Sequence, residues 1–201
     1  MVINDKAFSF PFRDRHWGTK LLIGSLLVLI SFVVPIIPLL FALGYVVRGM
    51  QFTIRTGENR LPEWDGWAEL AANGFLATLI QFLYALPGLV LLTGSGVAYG
   101  LHKLLFVAGS DVPAFVAGSA ALVLVAIVAF VVGALVLLIG VLLSPMGIAR
   151  FAATGDLAAA LQVGQVWAIT RAQLGSFALV WAITFGLSYI AWAVYGLLVY
   201  T

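Results

Sequence analysis

From Phe115 to Leu143 the sequence runs without a charged side chain, and this stretch does most to limit what the chain can become. Roughly 20 apolar residues cross a bilayer as a helix. Lipid offers no hydrogen-bond partner to the backbone, so only helices and closed barrels can span it. No strand-length alternation of apolar and polar residues recurs, which excludes a barrel. Further apolar runs at about Leu21–Val47, Phe75–Leu92 and Ser176–Val199 bring the expected number of transmembrane helices to about four. Only 9% of the 201 residues are charged and the mean hydropathy is +1.13, whereas soluble domains carry about 25% charge. The third run exceeds the usual bilayer requirement, which implies tilt, and Pro145 marks its end.

The fold class is an all-α integral membrane protein. It is a single membrane domain over 1–201: an interfacial segment 1–19, a first helical hairpin 20–100 and a second 112–201, with interfacial amphipathic segments. The opening segment interleaves Phe8, Phe10, Phe12 and Trp17 with Lys6, Arg13, Arg15 and Lys20, a pattern suited to the headgroup layer. No cleavable-signal pattern follows, so the first span is expected to stay as an anchor. Pro35 and Pro38 predict a kink within it. The second helix is expected to start near Asp65 or Gly66, with Asp65 as its cap and a bend at Pro87. Gly94, Ser95, Gly96 and Gly100 read as a helix end or as a GxxxG contact, followed by His102 and Lys103 at an interface and a loop to Pro113. Thr154–Gln173 forms a second interfacial stretch with Asp156 as cap and Gln162 and Gln165 on one face, and the last span is studded with Trp181, Tyr189, Trp192, Tyr195 and Tyr200.

Against this apolar background one connection is densely charged: RGMQFTIRTGENRLPEWDGWAE, Arg48 through Glu69. Asp65 and Glu69 lie one helical turn apart and repel unless a cation stands between them. Arg48, Arg55 and Arg60 are close at hand, and hard-metal loops show a denser spacing of oxygen ligands, so an arginine clasp is expected rather than a metal site. Trp64, Trp67, Leu70 and Ala71 share a face. The second half repeats the order in weaker form. Thr154-Gly155-Asp156 answers Thr56-Gly57-Glu58, Arg150 answers Arg48, Trp167 answers Trp67, and Gly175 and Phe177 answer Gly74 and Phe75, as duplication of a two-span unit would leave. The expected clasp or partner-contact set is Arg48, Arg55, Arg60, Glu63, Trp64, Asp65, Trp67, Glu69, Arg150, Asp156 and Trp167.

Few groups are available for chemistry. There is no cysteine, His16 and His102 lack an acid or hydroxyl partner at catalytic spacing, and none of HExxH, GxSxG, GxxxxGK[ST] or a dinucleotide GxGxxG context occurs. The +2 net charge forms no basic stripe, so nucleic acid is not an expected partner. No catalytic residue, cofactor or metal is expected; lipid is. The reading is a non-catalytic membrane protein, either an accessory or structural subunit of a larger membrane complex or a homo-oligomer, whose partners are membrane lipids and other subunits or itself. The alternatives are a small oligomeric transporter or channel, with scattered Ser and Thr, Gln81 and Tyr84 as its only polar candidates in the spans, and a lipid-binding or membrane-organising protein. With four spans the basic residues divide evenly between the two sides, and the weight of the first helix places both termini in the cytoplasm.

FPFRDRHWGTKLLIGSLL, the sequence Gly44-Tyr45-Val46-Val47-Arg48, and LPEWDGWAEL followed by Gly74 and the Pro87 region resemble a family of small polytopic membrane proteins of bacteria and archaea, known as domain of unknown function four thousand and thirteen. Members typically show an aromatic-Pro-Phe start, a span ending in Gly-Tyr, two hydrophobic residues and Arg, and a loop of proline, acid, aromatic, Asp, Asp and Trp. Here Gly66 stands in place of the second Asp. The resemblance is strong over about Phe8 to Leu92, and in the second half Pro145, Arg150, Gly155 and Trp167 fit the pattern. It implies an all-helical membrane protein and no particular reaction.

Overall fold

A computed structural model describes residues 14–31, 33–34, 36–58, 60–109 and 113–200. The expected interfacial residues 1–13, the kink residue Pro35 and loop residues 110–112 lie outside them. The elements are α1 (Trp17–Ile30), α2 (Ile37–Thr56), α3 (Trp67–Gly109), α4 (Pro113–Thr154), α5 (Leu157–Ala160), α6 (Val163–Ala172) and α7 (Leu174–Tyr200). The chain is an all-helical membrane protein. Three helices are long and apolar enough to cross a bilayer, Ile37–Thr56, Trp67–Val107 and Ala117–Thr154, and a fourth crossing is available from Val163–Ala172 with Leu174–Ile183, a pair bent by 88°.

The backbone of the molecule is the antiparallel pair α3 and α4, 43 and 42 residues long. Glycines set their closeness. A Cβ on Gly140 would fall on the Tyr84 carbonyl, and one on Gly88 would lie 2.5 Å from the Leu137 nitrogen. Farther along, His102 Nδ1 donates to the Ser119 carbonyl at 3.0 Å. Since apolar burial gives helices no preference for each other over lipid, such backbone proximity and the dispersion contacts it permits hold them together. α3 pairs most extensively with α4, across the boundary the sequence draws between two hairpins. Proline does not end these helices: Pro87 lies inside α3 and Pro145 inside α4. The Gly94–Gly100 stretch and residues 101–109 are helical too. Gly96 and Gly100 meet nothing, so this GxxxG makes no contact among the described residues. An apolar solvent removes the competition from water that lets Gly and Pro break soluble helices.

α2 packs antiparallel on α3 through Gly44 and Gly74, whose added Cβ atoms would strike the carbonyls of Leu70 and Leu40 respectively. The expected first span, Leu21–Val47, is not one kinked rod. α1 ends at Ile30 and α2 begins at Ile37, with Ile36 at φ 81°, ψ −66° between them, a strained conformation for a β-branched residue. The two helices fold back on one another. Trp64 donates its indole Nε1 to the Lys20 carbonyl at 3.0 Å while its ring stacks on Tyr45 at 3.8 Å, so the start of α1 and the middle of α2 lie one indole apart. The hairpin α1–α2 therefore has both its outer ends at the same end of the molecule.

That end also receives the close of α4. Val47 of α2, Ile80 and Tyr84 of α3, Phe151 of α4, Ala160 of α5 and Val166 of α6 form one buried cluster. α2 and α4 finish in the same way. Gly57 and Gly155 adopt φ 68° and 72°, and their amides bond back to Thr53 and Phe151 at 3.0 and 2.7 Å, closing each helix on a left-handed residue that glycine adopts without penalty. Thr56 and Thr154 donate to the carbonyls of Phe52 and Arg150, and each accepts the amide two residues on. The duplicated Thr-Gly-acid is thus a duplicated helix stop. The proposed match of Arg48 with Arg150 is out of register by a turn, because Phe52 holds the position equivalent to Arg150.

Candidate functional site

The loop between α2 and α3 is held down from two directions. Gly66 opens α3: its carbonyl accepts the amides of Glu69 and Leu70 at 2.9 and 3.1 Å, with its own φ at 56°. The cap expected at Asp65 therefore falls one residue later, and the Asp65 carboxylate is engaged elsewhere. Arg48 reaches across from α2, its Nη1 donating to Asp65 Oδ1 at 2.6 Å and to the Asp65 carbonyl at 2.5 Å, its Nη2 to Glu69 Oε2 at 2.8 Å. This is the arginine clasp read from the charge pattern. A Cβ on Gly66 would lie 2.9 Å from Arg48 Nη2, so glycine there leaves room for the guanidinium.

The second hold is a lysine that the charge pattern did not single out. Lys20, 4% exposed, sits under the loop with Nζ 2.6 Å from Glu63 Oε1, 2.8 Å from Asp14 Oδ2 and 2.9 Å from the Leu61 carbonyl. Burial of the ammonium works against its charge, but the hydrogen bonds to Asp14 and Glu63 outweigh it and raise Lys20 above its ordinary value of 10.5. The Lys20 hydrogen bond, followed by that from the His16 amide, lowers Asp14 below 3.8. Aromatic rings complete the seal. Tyr45 donates its hydroxyl to the Pro62 carbonyl at 2.9 Å, its ring lies within 4° of parallel to Trp64, and Trp67 packs near Trp64 at 5.9 Å and edge-on to Phe41 at 5.4 Å.

The expected site residues thus fall into separate groups. Arg48, Asp65 and Glu69 come together, and Glu63, Trp64 and Trp67 join them through Lys20 and Tyr45. Arg60 pairs with Glu58 at 2.6 Å on the surface and lies over the Phe52 ring at 5.3 Å. Arg55 makes no ion pair among the described residues. In the second connection Asp156 caps α5 by accepting the Ala158 amide at 2.9 Å, as expected. Arg150 lies 3.4 Å from Gln162 Oε1, and Trp167 is exposed. Among the described residues no hydrogen bond or ion pair joins these three to the Arg48 clasp.

Asp14, Lys20 and Tyr45 escaped the charge-based reading. Tyr45 was legible as the residue three before Arg48 and so on its face. Lys20 needed knowledge that the first apolar run doubles back. Tyr84, considered as a lining residue for a transport path, is buried and donates to the Ala160 carbonyl at 2.9 Å, which ties α3 to α5.

Three or more His, Asp or Glu residues placed to hold a metal are not found among the described residues. In chemical terms the loop is a docked element whose charges satisfy one another; its rings and backbone carbonyls are used in the docking. Residues 26–200 match the family described as a protein of unknown function, DUF4013. No curated protein and no solved structure matches the chain. The matched stretch contains Gly44-Tyr45-Val46-Val47-Arg48 and the Pro62–Trp67 loop, the partners that the clasp brings together, and on that match the chain belongs to the DUF4013 family.

Proposed function

We propose that the chain is a non-catalytic multi-pass membrane protein that works by assembly, as an accessory or structural subunit of a larger membrane complex or as a homo-oligomer. The observation that carries this reading is the contrast between its two kinds of surface. The apolar stretches of the three spans bury only 17%, 22% and 11% of their residues within the chain, while the carboxylates Asp14, Glu58, Glu63, Asp65 and Glu69 at the clasp end are all taken up in ion pairs. Recognition by this molecule therefore rests on helix faces more than on a reactive centre. The test is extraction into native lipid particles followed by mass measurement. Copies or companion subunits retained at a fixed ratio are expected; a lone protomer overturns the reading.

The folded-back hairpin supports one orientation in the membrane. Among the described residues, Arg15, Lys20, Arg48, Arg55, Arg60, Arg150 and Arg171 lie at the clasp end and Lys103 at the other, a bias in place of the even division expected for four simple spans. Basic residues favour the cytoplasmic side, which supports a cytoplasmic location for the clasp and the start of α1. With α1–α2 entering and leaving by one face, a crossing by α7 carries its far end to the opposite side, in place of the shared location expected for both termini.

A second reading, a small oligomeric transporter or channel, is favoured by the break between α1 and α2. Irregular backbone at membrane depth is tolerated where protein covers it or water reaches it. Flux through vesicles containing the purified chain tests this, and its absence for ions and small polar solutes removes it.

A further inference from the structure

We propose that Gln81 and Thr78 of α3, together with the exposed Val33, Ile36 and Ile37 between and at the start of the α1–α2 hairpin's helices, form a self-association surface within the bilayer whose occupant is a second copy of this chain. The proposal rests on the assembly reading above and names its partner.

Gln81 lies about 18 Å along α3 from the clasp residue Glu69, at 1.5 Å per residue, well inside the apolar layer. It is exposed and makes no hydrogen bond among the described residues. Thr78, one turn away, is also exposed; its hydroxyl donates to the Gly74 carbonyl at 2.9 Å and leaves the oxygen free to accept another bond. Phe75 and Phe82 flank them on the surface, 58% and 51% exposed.

The pairing of Gly44 with Leu70 and of Leu40 with Gly74 fixes the register of α2 on α3. Continued by one turn, it brings the start of α2 level with Thr78 and Gln81. There α2 begins with no side-chain cap: the Leu40 amide bonds to the Ile36 carbonyl, and Pro38, which has no N–H, fills the second helical position. Val33, Ile36 and Ile37 at this break are 83%, 67% and 60% exposed. The Gln81 carboxamide and the Thr78 hydroxyl therefore lie level with the exposed Val33, Ile36 and Ile37, on a surface otherwise apolar.

Acyl chains supply neither donors nor acceptors, whereas glutamine side chains bond well between membrane helices. A carboxamide carries both a donor and an acceptor. Across a two-fold axis the same residue of a second copy completes it, which is the self-complementarity an isologous dimer requires.

The experiment compares the wild type with Gln81→Leu and Gln81→Asn in native lipid particles by mass measurement across a protein-to-lipid dilution series, with thermal unfolding as a check that each variant is folded. The wild type is expected to dimerise, Gln81→Leu to do so roughly tenfold more weakly, and Gln81→Asn to retain association. In the cysteine-free background, Phe82→Cys is expected to form a disulfide between copies in the membrane and Leu124→Cys on α4 is not. Wild-type oligomers unaffected by Gln81→Leu, or companions of another kind in place of a second copy, overturn the surface while leaving the assembly reading intact. A lone wild-type protomer overturns both.

Discussion

Lys20, in the first turn of α1, lies 2.6 Å from Glu63, in the loop beyond α2. Two apolar helices separate them in sequence, and the ion pair places both at one end of the molecule. The Arg48 clasp, the stacking of Trp64 on Tyr45 and the crowding of basic residues at that end all build on this fold-back.

Replacing Lys20 with Met leaves the nearly buried Asp14 without its cation and removes the bond to the Leu61 carbonyl. A loss of about 2 kcal/mol is expected, within the range for leaving a buried charged group unpaired. Thermal unfolding in detergent measures it, and the fluorescence of Trp64 should change as its indole loses a fixed partner on α1. An equal loss from Arg60→Met, whose pair with Glu58 is exposed, would contradict the distinction between the two sites, since surface pairs contribute about 0–1 kcal/mol.

The same contact sets a pH window. Asp14 is lowered below its ordinary 3.8, so its contribution is present above that value and is lost as pH falls through the lower folded-state value. Lys20 is raised above 10.5, so its contribution is present below that value and is lost as pH rises through the higher one. The loop should stay docked between these limits. Trp64 fluorescence followed from neutral pH downward should show a transition below 3.8 that Asp14→Asn abolishes; an unchanged transition in that variant would contradict the assignment.

The glycines that matter are those against a neighbouring backbone. Gly44→Ala and Gly74→Ala drive a methyl group into the carbonyls of Leu70 and Leu40, and separating α2 from α3 to admit it should cost roughly 1–3 kcal/mol each. Gly96→Ala meets open space inside a helix and should stabilise by about 0.5–1 kcal/mol. Unfolding midpoints of the three variants check the contrast. The opposite ranking would mean that the GxxxG motif makes the helix contact after all.

Much of this was legible in the sequence because the physics was local. Apolar run lengths gave an all-helical membrane protein, and the one-turn spacing of Asp65 and Glu69 called for the cation that Arg48 supplies. Thr-Gly-acid marked both helix stops, since the positive φ at Gly57 and Gly155 is a property of a few neighbouring residues. The break at Ile36 was harder. Proline signals that a helix is disturbed, while the direction in which the chain continues depends on Lys20 meeting a loop beyond the next helix. Pro145 and the Gly94–Gly100 stretch misled for the converse reason, because in lipid the packing of α3 against α4 keeps both helices continuous. Lys20 was invisible as a site residue until the fold-back was known.

Cysteine accessibility in intact cells tests the fold-back most directly, because the chain has no cysteine of its own. With single substitutions Gly18→Cys, Glu58→Cys and Lys103→Cys, a membrane-impermeant thiol reagent should leave both Gly18→Cys and Glu58→Cys unlabelled until the membrane is opened and should label Lys103→Cys from outside. Labelling of Gly18→Cys and Glu58→Cys from opposite sides would contradict the account, since α1 and α2 would then cross the bilayer as one span.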